Sequence, residues 1–592
     1  MFASVKSLAL LAAVAVGAAQ AAVVTYNWNI TYVNVNPDGL FERRAIGVNG
    51  QFPVPAINVT LNDTLVINVI NQLDTPTSLH THGLFQTHNA QYDGPAMVTQ
   101  CPIPAGANFT YVIPIEQHGT YWIHGHYHGQ YVDGLRAPVI IHNINETYKY
   151  DDEYTVILAD WYHKQHQELN DWYLSIYNPS GAEPVPDSGL INQVSDAKFN
   201  FVPGKTYRLR IINMSALAMF HFHLAGHDMD IIEIDGIDVE PKRVTSFPVT
   251  AAQRYSVLVK ARNDTSLNYI MHADMDPAMF DKIPPELKLN ITGTIVYSPT
   301  ASLAPEEPSQ WDAFDDGDLV PVVKQASVKP DRQIVLDAVL EVLDDYSNKA
   351  MFNSITYVPP KVPTLYTAMT VGNLSTNPDV YGKYAHAIVL KKNEMIELVI
   401  NNKDPGNHPF HLHGHVFQII GRRDTAYDPA TSEPFPETAP NPARRDTVLI
   451  PSDGAISIRF RADNPGVWLF HCHIEWHLEA GLAMTFVEAP EELPSLLNID
   501  PAIYDSCKAL GIPYSGNAAG KEGLDLEGAN LGPNPLPGTL GTKGIIALVF
   551  TIISALLGLG AVIWYAQDDD AKLAAKRREA KKAARAAEEQ DE

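Results

Sequence analysis

Along this chain, short runs rich in Val, Ile, Tyr and Phe alternate with punctuation by Pro, Gly and Asn. That texture predicts strands joined by turns, and their number predicts stacked β-sandwiches. Residues 65–71, 119–126 and 396–402 are the clearest runs. One pattern occurs three times. Ile67-Asn68-Val69-Ile70-Asn71 leads to Leu79-His80-Thr81-His82-Gly83, and Leu209-Arg210-Ile211-Ile212-Asn213 leads to Phe220-His221-Phe222-His223-Leu224. The third copy is Leu398-Val399-Ile400-Asn401, leading to Phe410-His411-Leu412-His413-Gly414. A strand ending in Asn, then a His-X-His segment, is the repeating unit, and three copies predict three domains.

The texture breaks at residues 544–566, a continuous uncharged stretch. At about 1.5 Å per residue it is long enough to cross a hydrocarbon core of roughly 30 Å. Trp564 and Tyr565 stand at its far end, and Lys572, Lys576, Arg577, Arg578, Lys581, Lys582 and Arg585 follow. Interfacial aromatics and a basic flank predict one membrane-spanning helix with a cytoplasmic tail at 567–592. At the other end, Lys6, an apolar stretch and Ala19-Gln20-Ala21 predict a secretory leader over 1–21. Sequons at Asn29, Asn58, Asn62, Asn108, Asn145, Asn213, Asn263, Asn290 and Asn373 fit passage through the secretory pathway.

Histidine recurs within this β pattern with a fixed spacing. Residues 467–477 read Val-Trp-Leu-Phe-His-Cys-His-Ile-Glu-Trp-His. In extended backbone, neighbouring side chains point to opposite faces, so Cys472 faces one way and His471 and His473 the other. One short strand then holds two metal centres back to back with a covalent path between them. A lone thiolate with imidazoles leans towards blue copper, because a structural zinc site draws two or more cysteines together. His80-Thr81-His82, His124-Gly125-His126 and His408-Pro409-Phe410-His411-Leu412-His413 are similar clusters. Period two puts both rings of each pair on one face, about 7 Å apart. Eight histidines from four strands suit a multinuclear site. The middle copy of the repeat has no matching His-Cys-His strand; Tyr255-Ser256-Val257-Leu258-Val259 stands there instead. A metal-free spacer follows, with His221, His223 and His227 structural.

The formal charge of −26 argues against a nucleic-acid partner and for attraction of cations. Of the three cysteines, Cys101 and Cys507 are left once Cys472 is committed to metal. In an oxidising compartment those two most simply pair, pinning the C-terminal extension against the first domain.

His-Thr-His-Gly, Trp-X-His-X-His, His-Pro-X-His-Leu-His-Gly and His-Cys-His-X-X-X-His, in that order, resemble the multicopper oxidases over nearly the whole body of the chain. The resemblance implies three cupredoxin-like Greek-key β-sandwiches followed by a single transmembrane helix. It divides the chain into a first cupredoxin domain at 22–143, a second at 144–300, an acidic linker at 301–345 and a third domain at 346–490. An extension and stalk at 491–543 precede the helix at 544–566. Four copper ions are implied. His408, Cys472 and His477 would bind type 1 copper, His80 and His411 the type 2 ion, and His82, His124, His126, His413, His471 and His473 the two type 3 ions. Leu482 stands where the family places its axial position, and leucine cannot ligate. Asp93 and Glu475 occupy the acidic positions beside the cluster, and His128 lies outside the ligand pattern.

A closer likeness is to the membrane-anchored fungal ferroxidases that work with an iron permease. Tyr177-Asn178-Pro179-Ser180-Gly181-Ala182-Glu183-Pro184, residues 276–284 and 401–414, and Lys543-Gly544-Ile545-Ile546-Ala547 carry it. It implies Fe(II) and O2 as substrates, with Glu183, Asp281 and Asp404 holding the ferrous ion near type 1 copper. Asp276 would assist electron transfer or binding. Asp312, Asp315, Asp316 and Asp318 would either pass ferric iron onward or form a solvated linker. The tail carries no clear retention signal, which favours the plasma membrane, with the ectodomain outside. The alternatives are a laccase-like oxidase of phenols or aromatic amines and a non-enzymatic copper-binding or adhesion protein.

Overall fold

The computed structural model describes residues 21–305, 311–343, 347–532 and 542–589. The expected leader therefore lies outside the described residues except for Ala21. Among the described residues, six sheets fall into three pairs. Two four-stranded sheets lie between residues 23 and 142, two six-stranded sheets between 152 and 303, and a six- and a five-stranded sheet between 332 and 488. Period-two burial builds them. In the strand Thr64–Asn71, Leu65, Ile67 and Val69 point into the core while Val66, Asn68 and Ile70 do not. The expected all-β architecture is present.

The repeated strands hold the same place in each pair. Thr64–Asn71 runs parallel to Val23–Val35, Thr206–Asn213 to Asp152–Trp161, and Met395–Asn402 to Arg332–Val342. The asparagine ending each strand has a structural reason. The side-chain oxygen of Asn71 accepts from Leu73 N at 3.0 Å, that of Asn213 from Ser215 N at 2.9 Å, and that of Asn402 from Asp404 N at 3.1 Å. The amide of each donates onward, to the carbonyls of Thr75, Ala218 and Gly406. This Asx clip turns the chain out of one strand towards the next. In the third copy the clip is Asn402, one residue beyond the Asn401 of the sequence pattern. Asn401 is held elsewhere, by Asp337 and the Tyr427 carbonyl. Asn213, fully buried in its clip, cannot serve as a glycan acceptor.

A few elements position the histidines. They are β1 (Leu79–His82), β2 (Gly119–Gly125), β3 (Arg254–Lys260), β4 (His408–Leu412), β5 (Thr447–Ile450), β6 (Gly466–Cys472) and α1 (Glu475–Glu479). Antiparallel pairing of β1 with β2 sets His80 opposite His124. β4 lies between β5 and β6, with His411 opposite His471 and Phe410 opposite Cys472. Every residue of β6 is buried, and it separates two cores. Val467, Trp468 and Leu469 pack with the first pair of sheets, whereas Phe470 and Cys472 pack with apolar residues of the second and third.

Cys101 and Cys507 form the expected disulfide, closing 406 residues of sequence and fastening the helix Asp505–Leu510 to the first pair of sheets. Residues 533–592 are a separate unit, described over α2 (Thr542–Glu588). The apolar stretch 544–566 lies within α2, and by length and composition this helix can cross a membrane. Its 47 residues extend about 70 Å, so it continues well past a hydrocarbon core.

Candidate metal centre

Cys472, at the end of β6, meets two histidines from separate elements. Its Sγ lies 3.4 Å from Nδ1 of His477 in α1 and 3.7 Å from Nδ1 of His408 at the start of β4. The two Nδ1 atoms are 3.0 Å apart, and all three side chains are buried. Burial alone raises the thiol pKa, but His477 and His408 bring it to about 7. Against its own burial, His477 is raised to about 10 by Cys472 and Glu183. The trio thus favours a thiolate beside a protonated ring, and a soft cation would replace the protons. Leu482 is fully buried in the same apolar core and puts no heteroatom there.

The other nitrogen of each of these rings points to a carboxylate. His477 Nε2 lies 2.7 Å from Glu183 Oε1, and His408 Nε2 lies 3.0 Å from Asp404 Oδ2. Glu183, Asp404 and Asp281 line one cavity of about 250 Å³ with Tyr173, Met279 and Asn348. Asp281 is raised by burial and then by the charges of Glu183 and Asp404. Three acids converging on one small cavity supply the hard anionic oxygens that a cation would need.

On the other side of β6 the eight paired histidines converge. Ring centroids within the pairs are 5.7 Å apart for His80 and His82, 5.5 Å for His124 and His126, 4.8 Å for His411 and His413, and 5.4 Å for His471 and His473. Between pairs, His80 stacks on His413 at 3.9 Å and His82 on His411 at 3.7 Å. Most rings are anchored at one nitrogen and bare at the other. His80 Nδ1 donates to the Asp93 carbonyl at 2.8 Å, His124 Nδ1 to Gly125 O at 3.0 Å, and His411 Nδ1 to Asp446 O at 3.0 Å. Nε2 of these three rings is buried with no hydrogen-bond partner, as are His82 Nδ1, His126 Nε2 and both nitrogens of His473. The Nε2 atoms of His413 and His471 face each other at 3.2 Å, while their Nδ1 atoms go to Asp93 Oδ2 and Cys472 O. Burial, and then repulsion from neighbouring rings, holds His82, His124, His126, His413, His471 and His473 well below the usual histidine range. Neutral rings with inward lone pairs and no protein partner are a donor set for metal, and they fit copper.

Strand geometry holds both histidines of the first pair, in β1, but only one of each in the other three. β2 ends at Gly125, β4 at Leu412 and β6 at Cys472, so His126, His413 and His473 stand just past the last paired residue. The rings are closer than 7 Å in all four pairs, including His80 and His82 within β1. Asp93 holds His413 at 2.8 Å and lies 3.2 Å from His80 Nδ1. Glu475 lines a cavity of about 350 Å³ with His124, His126, His471 and His473, and burial and then Glu479 push its carboxyl well above the ordinary range. His128 Nδ1 lies 3.1 Å from Glu479 at the same cavity.

In the middle pair of sheets, His221 stacks on Trp311 at 3.8 Å and bonds Asp276 at 3.0 Å. His227 bonds Ala225 O and Tyr297, and His223 stacks on His272. Asp276 also caps the turn Pro277–Met279 through Ala278 N. Of the acids beyond Trp311, Asp316 is buried, whereas Asp312, Asp315 and Asp318 are exposed and each has a local partner. Asp315 and Asp316 pair with Arg422, Asp316 also with Arg445, Asp318 with Lys242, and Asp312 bonds Thr245. Asp446 and Arg254 escape sequence reasoning altogether. Asp446 touches His82 and His411, and Arg254 clasps Asp446, yet neither falls in a histidine motif.

Comparison with known proteins agrees with this geometry. Three multicopper oxidase family models match residues 29–146, 152–300 and 357–492. The iron transport multicopper oxidase fetC of Epichloe festucae (strain E2368) is 45% identical, covering 94% of this chain and 91% of the relative. The iron multicopper oxidase fer1 of Mycosarcoma maydis is 47% identical, covering 92% and 93%. The crystal structure of Fet3p, a multicopper oxidase that functions in iron import, superposes with a TM-score of 0.84 at 39% identity, covering 87% of this chain and all of that one. These likenesses make the fold cupredoxin-like and imply that the protein binds copper. The chain belongs to the multicopper oxidase family.

Proposed function

We propose that this protein is a ferroxidase: four Fe(II) and four protons reduce one O2 to two waters, leaving four Fe(III). The observation that carries this reading is the pairing of Glu183 and Asp404 with the outer nitrogens of His477 and His408. Iron held by those acids is one hydrogen bond from the rings that share Cys472. Hard anionic oxygens favour the ferric product over the ferrous substrate, which eases loss of the electron. Asp281 completes the carboxylate set.

The copper assignment is a type 1 ion at His408, Cys472 and His477, a type 2 ion at His80 and His411, and two type 3 ions at His82, His124, His126, His413, His471 and His473. When bound, the four ions supply one-electron acceptance on the iron side and four-electron delivery to O2 within the histidine cluster. The chain's own part is geometric. β6 links the two donor sets covalently, because His471 and His473 adjoin Cys472. Asp93 fixes the His413 and His80 rings, and Glu475 faces the cavity beside the cluster, where protons are consumed.

The domain division given above, with sandwiches at 22–143, 144–300 and 346–490, is part of this reading. So is a plasma-membrane location with α2 as anchor, the ectodomain outside, and ferric iron passed to a permease in the same membrane. Tethering raises the effective concentration of the ferric donor near such a partner. A laccase-like enzyme shares the copper machinery but has no use for three converging acids. The test is Glu183→Ala combined with Asp281→Ala, assayed on ferrous iron and on an aromatic diamine. Ferrous kcat/KM should fall at least about tenfold more than diamine kcat/KM, in line with a lost charge-assisted contact of about 1.5 kcal/mol or more. Equal losses, or untouched iron turnover, would remove the iron-site assignment.

A further inference from the structure

The middle pair of sheets approaches the histidine cluster at Arg254. Arg254, at the start of β3, is fully buried. Its Nη1 and Nη2 donate to Oδ1 and Oδ2 of Asp446 at 2.8 and 2.6 Å, and its Nε donates to Thr120 O on β2 at 3.0 Å. Asp446, also fully buried, immediately precedes β5. Its Oδ1 accepts from His82 Nε2 at 3.1 Å, and its main-chain oxygen accepts from His411 Nδ1 at 3.0 Å. Thr447 Oγ1 lies 3.3 Å from both of these ring nitrogens and donates to Asp446 Oδ1 at 2.8 Å.

These contacts fix which end of each ring carries its proton. A carboxylate clasped by a guanidinium fork only accepts, so His82 holds its proton on Nε2 and keeps the lone pair on Nδ1. His82 Nδ1 is the buried atom with no partner. His80, His124 and His411 are arranged the opposite way, with Nδ1 anchored and Nε2 bare. His82 is therefore turned end for end relative to those three. The main chain passes hard against the clasp: a Cβ on Gly83, where φ is +90°, would sit 2.6 Å from Arg254 Nη2 and 2.8 Å from Asp446 Oδ2.

We infer that Arg254 and Asp446 are a positioning pair that sets the inverted tautomer of His82 and the orientation of His411, so that the middle domain governs copper occupancy of the cluster. The inference rests on reading His82 and His411 as copper ligands. It goes beyond that reading by giving the middle domain a part in assembling the site, where the sequence suggests only a spacer.

The test uses the full-length protein produced in copper-replete cells, comparing wild type with Asp446→Asn, Arg254→Lys and His82→Ala. Copper per chain, the type 2 electron paramagnetic resonance signal, the visible absorption of the Cys472 centre and the melting temperature are read for each. Asp446→Asn keeps the side-chain shape but presents an amide that can donate to His82 Nε2. It should weaken copper retention in the cluster about 10- to 100-fold and alter the type 2 signal, while the Cys472 absorption persists. Arg254→Lys keeps the charge but loses the fork and should give a smaller loss of the same kind. Should Asp446→Asn fail to fold, Arg254→Lys alone decides. Wild-type copper content and resonance in the variants would overturn the proposal, and so would parallel loss of the Cys472 absorption, which marks general loosening. If His82→Ala keeps full copper, the ligand reading itself is what fails.

Discussion

Asp281 and Glu183 share a cavity but differ in what surrounds them. Glu183 bonds His477, which holds its pKa below the ordinary value despite burial, and Asp404 is lowered in the same way by His408. Asp281 has no such partner and is raised by burial and by its two neighbours. As pH falls, Asp281 is thus the first of the three to take a proton. The cavity then loses a charge while the other two acids keep theirs. KM for ferrous iron should rise on the acid side, and Asp281→Asn should raise KM at neutral pH and flatten that limb. A steep acid limb surviving in Asp281→Asn would assign the dependence to another group. At this scale the sequence was legible where ligands sit two apart, because a strand end delivers both rings together. It was silent on Asp446 and Arg254, which meet across 192 residues with no spacing to announce them. Glu183 and Asp281 stood out only through resemblance, since the turn that brings Glu183 to His477 depends on packing 294 residues away.

Between elements, buried charge holds the middle sheets to the first pair. Glu233, in the strand Met229–Ile234, receives Arg208 Nη2 at 2.5 Å and Thr120 N of β2 at 2.6 Å, and bonds Ser256 as well. Burial raises its pKa, but Arg208 and Arg210 outweigh that and lower it to about 2. Its folded value lies below the ordinary 4.5, so the linked stability is fully present above pH 4.5 and is lost as pH falls towards 2. Glu233→Ala leaves two buried guanidinium groups short of an acid and should destabilise the ectodomain by about 3–5 kcal/mol at neutral pH. Urea melts at pH 7 and pH 3 check both halves, and the variant's deficit should shrink at the lower pH. An equal deficit at both would mean that packing, not charge, is lost. The strands themselves were readable from alternation and the threefold repeat. In the third copy the strand-ending asparagine that turns the chain is Asn402 rather than Asn401, because both satisfy the same local pattern and only their partners separate them.

For the whole molecule, the described copper-ligand candidates and iron-side acids all lie before residue 532, and the apolar helix lies after it, in a separate unit. The Cys101–Cys507 bond fastens the helix Asp505–Leu510 to the first pair of sheets, so this unit is closed on itself before the apolar helix begins. The candidate sites and the apolar helix are therefore separable by one cut. A chain ended after Gly532 should be secreted, bind copper and oxidise ferrous iron with kcat/KM within about twofold of the full-length protein, because no residue of the two sites is removed. Its value to a cell should differ sharply. A tethered donor near a membrane partner works at a millimolar-scale effective concentration, whereas a diffusing one is diluted into the medium, which costs about 10²–10⁴ in engagement. Cells carrying only the truncated form should then take up iron poorly at low external iron despite normal ferroxidase activity in the medium. Uptake equal to that of full-length cells would show that ferric iron reaches the proposed permease through solution, and would remove delivery as the purpose of α2.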